Sequence, residues 1–298
     1  MGGSLRPFAR RSDTGGVRLA IMNGRGDGEG RDMEQAPPGI DPTVPSVARI
    51  YDYVLGGKDN FAVDREAAEK LLRASPNARE EALANRRFIG RAVRFLVGNG
   101  IRQFLDIGAG LPTQENVHEV ALRAATESRI VYVDNDPIVL VHARALLADD
   151  RQTIAVEGDL REPEGILNNP EVTGHLDFSR PIGLMLVAIL HFIPDDIVYR
   201  AVETLRGRLV PGSAIVISHF STGELGEEEI GTFKKIATQT SAGVLVPRTR
   251  EEIRRFFDGC DLVEPGLVPV DDWRPGEDEP RLPRLPGLEM CAGVGIRR

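Results

Sequence analysis

The sequence predicts an α/β fold: a doubly wound, mostly parallel sheet preceded by N-terminal helices. Two observations lead there. From Arg102 onward, short apolar runs alternate with helical stretches, in the order QFLDI, RIVYV, TIAVE, IGLMLVAI and AIVIS, and such alternation implies parallel strands with helices on both faces. Before Arg102 the signals are helical only, with apolar residues recurring at helical spacing through the segment 46–97. At 298 residues and 41% hydrophobic content, the chain can bury a sizeable core as one large domain.

Residues 1–44 read as a disordered leader. Eight glycines fall by Gly30, charges of both signs are scattered, and Pro37-Pro38 follows with no sustained period. Met22 or Met33 offers an alternative start. The domain is expected over 45–298, with a helical lid over 45–100 and the sheet-bearing core over 101–298. In SVARIYDYVLGG, Ser46 is placed to cap a short helix with apolar Val47, Ile50 and Val54 and a stop at Gly56 and Gly57. Asp64–Ala74 and Ala78–Val97 follow as amphipathic helices, the second with Leu83, Phe88, Ala92, Phe95 and Leu96 near one face. Within the alternating region, helices are expected from Thr113, from Pro137 and over Asp195–Leu209. Beyond it, Glu227–Thr240 reads as a helix, and Thr249-Arg-Glu-Glu252 is a capping box for a helix reaching Phe257. Strand-like runs at Leu262–Val268 and Met290–Ile296 would close the sheet as an antiparallel edge hairpin, giving seven strands.

Composition narrows the function classes. A formal charge of −8 disfavours broad attraction to nucleic acid. The longest apolar run, Ile182–Ile193, falls short of the roughly 20 residues that span a bilayer, so no membrane association is expected. Arg10-Arg11 is followed by Ser12 to Gly16 where an export signal would carry an apolar region, which leaves a cytoplasmic location as the expectation. Cys260 and Cys291 are too few for a disulfide framework and lack metal-ligand spacing, so no metal is expected.

The stretch DIGAGLPT, Asp106–Thr113, joins a strand-like run to a helix-like one and holds Gly108 and Gly110. A dinucleotide fingerprint would place a third glycine where Thr113 stands. No G-x-x-x-x-G-K-[ST] sequence occurs, which excludes a P-loop. Asp134 ends the next strand, about two dozen residues beyond Gly110, where a carboxylate can accept two hydrogen bonds from a ribose diol. Asp159 ends the strand after that, where a carboxylate can accept the amino proton of adenine. Acidic residues at strand ends also arise as turn formers and caps. As an ordered set, Asp106, Asp134 and Asp159 lie on one edge of a parallel sheet and describe a nucleoside-shaped site. Carboxylates without a basic counterpart repel a pyrophosphate and attract an adenosyl sulfonium, which points to S-adenosylmethionine as the cofactor.

At these residues the sequence resembles a class I methyltransferase, with DIGAG, VYVD and EGDL matching its first three motifs. PSVARIYDYVLGGKDNF, NRRFIGRAVRFL, IRQFLDIGAGLPT, VYVDNDP and LHFIPD together resemble a bacterial S-adenosylmethionine-dependent methyltransferase family long catalogued as a domain of unknown function. The resemblance covers residues 45–298 and implies a seven-stranded Rossmann-like fold. It implies Gly108 and Gly110 near the methionine part of the cofactor, Asp134 on the ribose, and Asp159 with the Leu160 backbone at the adenine. In a related carboxyl methyltransferase group an arginine holds the cofactor carboxylate; here Asn85 occupies that place, and Arg86 or Arg87 could supply the charge.

Methyl transfer asks the protein to position an acceptor and, where needed, to remove its proton. His191 in LHFIPD, after the fourth strand, is the candidate base, and a packed or capping histidine beside Phe192 is the alternative. His219 is a weaker candidate of the same kind. Tyr51, Tyr53, Lys58, Asp59 and Asn60 form a polar and aromatic cluster on the lid, with Tyr51 a candidate cofactor contact. The expected partner is a small-molecule acceptor, with nucleic acid not expected. A noncatalytic cofactor-binding protein and an NAD-linked oxidoreductase are the competing readings; Thr113 and the terminal strand pair argue against the latter. No motif specifies the acceptor or the oligomeric state.

Overall fold

The computed structural model describes residues 40–112, 115–147, 150–223, 225–277, 279 and 289–298. Residues 1–39 of the expected leader and Thr113 lie outside the described residues. The leader's remaining residues touch the domain: Ile40 packs against Leu111, Ile138 and Val139, and the Val44 carbonyl accepts from Arg49 Nη2 at 2.6 Å. Ile40 and Val44 thus contact residues of the domain.

Three helices come first, α1 (Val47–Leu55), α2 (Ala62–Ala74) and α3 (Ala78–Gly98). The alternating region then gives β1 (Gln103–Ile107), α4 (Val117–Ala124), β2 (Arg129–Asp134), α5 (Pro137–Leu146) and β3 (Thr153–Glu157). Two short helices, α6 (Pro163–Leu167) and α7 (Pro170–His175), precede β4 (Gly183–Val187). At five and six residues they are too short to show a helical period. The chain continues through α8 (Asp195–Arg208), β5 (Ala214–Ser221), α9 (Glu227–Ala237), α10 (Arg250–Arg254), β6 (Cys260–Leu262), β7 (Val268–Pro269) and β8 (Glu289–Arg297). The predicted capping box of α10 is present, with Thr249 N donating to Glu252 Oε2 at 2.8 Å and Glu252 N to Thr249 Oγ1 at 3.2 Å.

The sheet runs β3-β2-β1-β4-β5-β8-β6, with β7 paired to β8. Strands β1 to β5 are parallel to one another, and β8 is antiparallel to both β5 and β6. The expected antiparallel pair closes the sheet at that edge, with β8 next to β5 and β6 outermost. The expected strand at Leu262–Val268 is split, because Pro265 has no N–H to donate and Gly266 takes φ +90°. Its two pieces pair with β8 at opposite ends, giving eight strands among the described residues.

Alternation along the central strands feeds two cores. Leu105, Ile107, Leu184, Leu186, Ile215 and Ile217 face α8, while Phe104, Met185, Val187 and Val216 face α3 and Trp273. Both faces are buried, which is why these strands read as continuous apolar runs. On α3 the buried stripe runs through Phe88, Ala92 and Leu96, with Phe95 partly buried beside Trp273. Leu83, expected on that face, is 41% exposed. It lies five positions from Phe88, about 140° around the helix.

The first two helices are joined by a buried ion pair. Asp64, fully buried, accepts from Arg49 Nε at 2.7 Å, from Ser46 N at 2.8 Å and from Phe61 N at 2.8 Å. Ser46 holds the N-cap position of α1 but does not cap it; its hydroxyl donates to Asp136 Oδ2 at 2.5 Å, across to the loop after β2. Among the described residues no helix is long and apolar enough to cross a membrane. Removing one partner of a buried pair strands the other charge, so Asp64→Ala is expected to lower the urea-unfolding free energy by about 3–5 kcal/mol.

Candidate functional site

Strand order reverses between β1 and β4: the chain leaves β1 toward β2 and β3, and leaves β4 toward β5. The crevice at that reversal, beyond the carboxyl ends of the strands, is where doubly wound sheets take ligands. Here it opens into a cavity of about 630 Å³, lined by the ends of β1 to β5 together with residues of α1, α2, α3 and α9. Tyr51, Arg86, Asp106, Gly108, Gly110, Asp134, Asp159, Leu160 and His191 all line it.

The glycine turn after β1 is shaped by its backbone. Gly108 and Gly110 take φ of +78° and +66°, conformations that a β-carbon disfavours. A Cβ on Gly108 would stand 2.8 Å from Ile189 Cγ1, so the turn presses directly on the chain leaving β4. A Cβ on Gly110 would meet nothing within 4 Å. Gly110 N donates to Asp134 Oδ2 at 3.0 Å, and Asp136 N donates to Asp134 Oδ1 at 2.9 Å. The ends of β1 and β2 are thereby fixed to each other, with the Asp134 carboxylate at the corner.

The three acidic residues are not equivalent. Burial pushes the Asp106 carboxyl up to about 7; the Arg86 guanidinium works against that rise and the Asp134 charge adds to it. Burial also raises Asp134, opposed by backbone N–H bonds from Asp136, Gly110 and Asn135. At Asp159 burial acts upward, but Arg161 outweighs it and the carboxyl ends below its ordinary value. Arg161 donates to Asp159 Oδ1 from its backbone N at 2.8 Å and from Nε at 2.9 Å, and its Nη2 contacts Oδ2. Asn135 Nδ2 adds a bond to Oδ2 at 3.3 Å. Asp159 is thus an ion-paired carboxylate rather than the uncompensated one the sequence suggested.

Of the two candidate cations on α3, Arg86 lines the cavity, and its Nη2 donates to the Glu115 carbonyl at 3.3 Å and to Asn116 Oδ1 at 3.2 Å. Tyr51 lines the cavity with its ring, but its hydroxyl donates to the Ala82 carbonyl at 3.1 Å. Elsewhere on the lid, Asp59 N and Asn60 Nδ2 both donate to Asp52 Oδ2 at 2.9 Å. Asp52 is a buried cavity residue that the sequence did not single out.

His191 is 1% exposed, with its ring centroid 4.4 Å from both Phe192 and Phe220. Phe220 N–H points at His191 Nδ1 from 3.4 Å. Burial first, then the nearby His219 and Arg248, hold its pKa well below 6.5. A pKa lowered in this way favours the neutral imidazole, with Nδ1 facing the Phe220 N–H. His219 is held at about 3 by burial and Arg248. Its Nε2 accepts from Arg248 Nη1 at 2.8 Å, and its Nδ1 donates to the Phe220 carbonyl at 2.7 Å. Arg248, 1% exposed, also donates to the carbonyls of Leu190 (3.1 Å) and Ile193 (2.9 Å) and to Asp195 Oδ1 (2.9 Å). It clamps the turn that carries His191, Phe192 and Ile193 into the cavity.

Ile50, Val54, Leu71, Phe192, Phe220 and Phe233 form an apolar chamber wall, interrupted by the polar Glu81, Asn85, Thr240 and Ser241. Among the described residues no group of His, Cys, Asp or Glu is arranged to hold a metal ion.

A model of the S-adenosyl methyltransferase family matches residues 33–298. The chain is 44% identical to a candidate methyltransferase of Thermobifida fusca YX, with a TM-score of 0.81 over 88% of this chain and 98% of that one. It is 39% identical to a DUF574 family protein of Streptomyces avermitilis MA-4680, with a TM-score of 0.81 over 87% of this chain and 99% of that one. No curated protein matches the chain.

The raised Asp106 carboxyl has a consequence for stability. A folded-state pKa above the unfolded value means that ionisation opposes folding, so the wild type loses stability as pH rises from about 4 to about 7. Asp106→Asn removes the titration. The variant's stability advantage is expected to grow across that window and to level off above about pH 8, read from urea unfolding at a series of pH values.

Proposed function

The chain belongs to the S-adenosyl methyltransferase family, and from that premise we propose that the crevice between β1 and β4 holds S-adenosylmethionine and delivers its methyl group to a small, largely apolar acceptor. One observation carries the reading. The glycine turn, pinned to Asp134, and apolar residues of α1 and α9 line one and the same cavity. A polar ligand seated on the turn would share that cavity with an apolar one. The closeness of Gly108 to Ile189 supports the fit, since any side chain there would collide with Ile189 and displace the turn.

In this reading the residues have separate tasks. Gly108 and Gly110 bring backbone against the methionine part, and Asp134 accepts from the ribose hydroxyls with lone pairs left over from its backbone bonds. Leu160 and the ion-paired Asp159 stand at the adenine. Asp106 offers negative charge beneath the turn, and Arg86 a positive charge for the cofactor carboxylate. The bound cofactor supplies an electrophilic methyl carbon and a neutral thioether leaving group. The protein aligns the acceptor with that carbon, and the apolar surround strengthens each charge interaction beside it. His191 is a wall of the chamber and transfers no proton in this scheme. An apolar acceptor inside a cytoplasmic protein accords with the chamber walls and with two free, buried cysteines. Family membership selects methyl transfer over the NAD-linked and noncatalytic alternatives.

Labelled-methyl transfer from S-adenosylmethionine into bacterial extract tests the acceptor class: label is expected in the small-molecule fraction, and label confined to protein or nucleic acid would overturn the proposal. In calorimetric titration, Asp134→Ala is expected to weaken S-adenosylmethionine binding by about 1–3 kcal/mol, or about 5- to 150-fold, and an unchanged affinity removes Asp134 from the site. Because Asp106 is close to half-ionised at pH 7, binding of the positive cofactor should release up to about half a proton there. Titrations in buffers of different ionisation enthalpy measure that release, which should vanish in Asp106→Asn.

A further inference from the structure

A chain of hydrogen bonds crosses the cavity wall from the lid to the end of β4, and its direction is set by its two ends. Ala188 N donates to Ser218 Oγ at 3.0 Å, and Ser218 passes its own proton to Asn85 Oδ1 at 2.7 Å. Asn85 then donates from Nδ2 to Tyr51 Oη at 3.1 Å, and Tyr51 donates to the Ala82 carbonyl at 3.1 Å. In this direction every donor meets an acceptor. Asn85 and Ser218 are 2% and 0% exposed, so the links are shielded from competing water.

What the chain joins gives it interest. Ala188 has φ +55°, unusual for a residue with a β-carbon, and it opens the turn bearing Ile189, His191 and Phe192. Tyr51 lies on α1, whose leading residue Ser46 is bonded to Asp136 on the loop after β2. Helix α1 is therefore tied at one point to the Asp134 corner and at another to the chamber wall. Tyr51, Asn85 and Ala188 all line the cavity, so an occupant meets both sides of the junction. A ligand that contacts two elements favours the state in which they are joined, and the joining favours the ligand by the same factor.

We propose that Asn85 is a positioning residue that couples helix α1 to the β4 turn, so that filling the cofactor lobe and closing the chamber over the acceptor occur together. The inference rests on the methyl-transfer reading above. Asparagine suits the place because one planar group accepts on one side and donates on the other. Aspartate would keep the Ser218 bond and lose the donation to Tyr51, whose hydroxyl could rejoin it only by giving up the Ala82 carbonyl.

The test uses the full chain and S-adenosylhomocysteine, whose binding needs no acceptor. Asn85→Asp and Tyr51→Phe each remove the Asn85-to-Tyr51 donation, from opposite sides. Both are expected to weaken S-adenosylhomocysteine by about tenfold. Both should also abolish the ligand-dependent hydrogen-exchange protection of residues 47–55 that the wild type shows. The double variant should bind no worse than the weaker single one. Affinity within about twofold of wild type with α1 still protected by ligand overturns the coupling, as does a lowered melting temperature unaccompanied by either change. Should Asn85→Asp not fold, Tyr51→Phe carries both readouts alone. A wild-type protein that does not bind S-adenosylhomocysteine overturns the cofactor reading itself, and the coupling with it.

Discussion

The site depends on the close approach of two backbone turns where the sheet changes direction. Gly108 and Ile189 stand so near that a single carbon added to the first would collide with the second. That contact fixes how far the ends of β1 and β4 diverge, and hence the depth of the crevice between them. The adjoining features follow from it. Asp134 is fastened to Gly110 on one side, and the 190–195 turn is fastened by Arg248 on the other.

The helical segment is part of the binding wall as well as a cover. Its buried ion pair, Arg49 with Asp64, stiffens the junction of α1 and α2. Ser46 and Tyr51 carry that stiffness to the two edges of the crevice. A roof held at both edges restrains the volume beneath it, and the apolar residues of α1 contribute directly to the chamber. The acidic rim is graded for the same reason that it is layered: Asp106 lies deepest and is hardest to ionise, while Asp159 is stabilised as an ion by Arg161.

How much of this was legible in the sequence depends on how far apart the partners lie. The parallel strands were plain, because both faces are buried and each therefore appears as an apolar run. The glycine turn and its acidic companions were plain because strand ends are easy to place once strands are. Contacts across long separations were not. The hydroxyl of Ser46 finds Asp136 90 positions away, and Arg248 reaches Asp195 at a separation of 53 and His219 at 29. Nothing local distinguishes a capping serine from a tethering one, or a buried arginine from a surface one. Leu83 was misplaced by counting apolar residues without following their angle around the helix. The neutralisation of Asp159 is a different case, since Arg161 stands two residues on and a nearest-charge reading would have found it.

Arg248 holds the chamber turn through carbonyl oxygens, at Leu190 and Ile193, and through a carboxylate beyond them. Main-chain carbonyls are the same whatever side chain is attached. The path of the turn is thus insulated from the identity of Phe192, whose ring faces the chamber. Evolution, or an engineer, can exchange that ring for a smaller or more polar group and reshape the pocket for a different guest without rebuilding the scaffold that presents it.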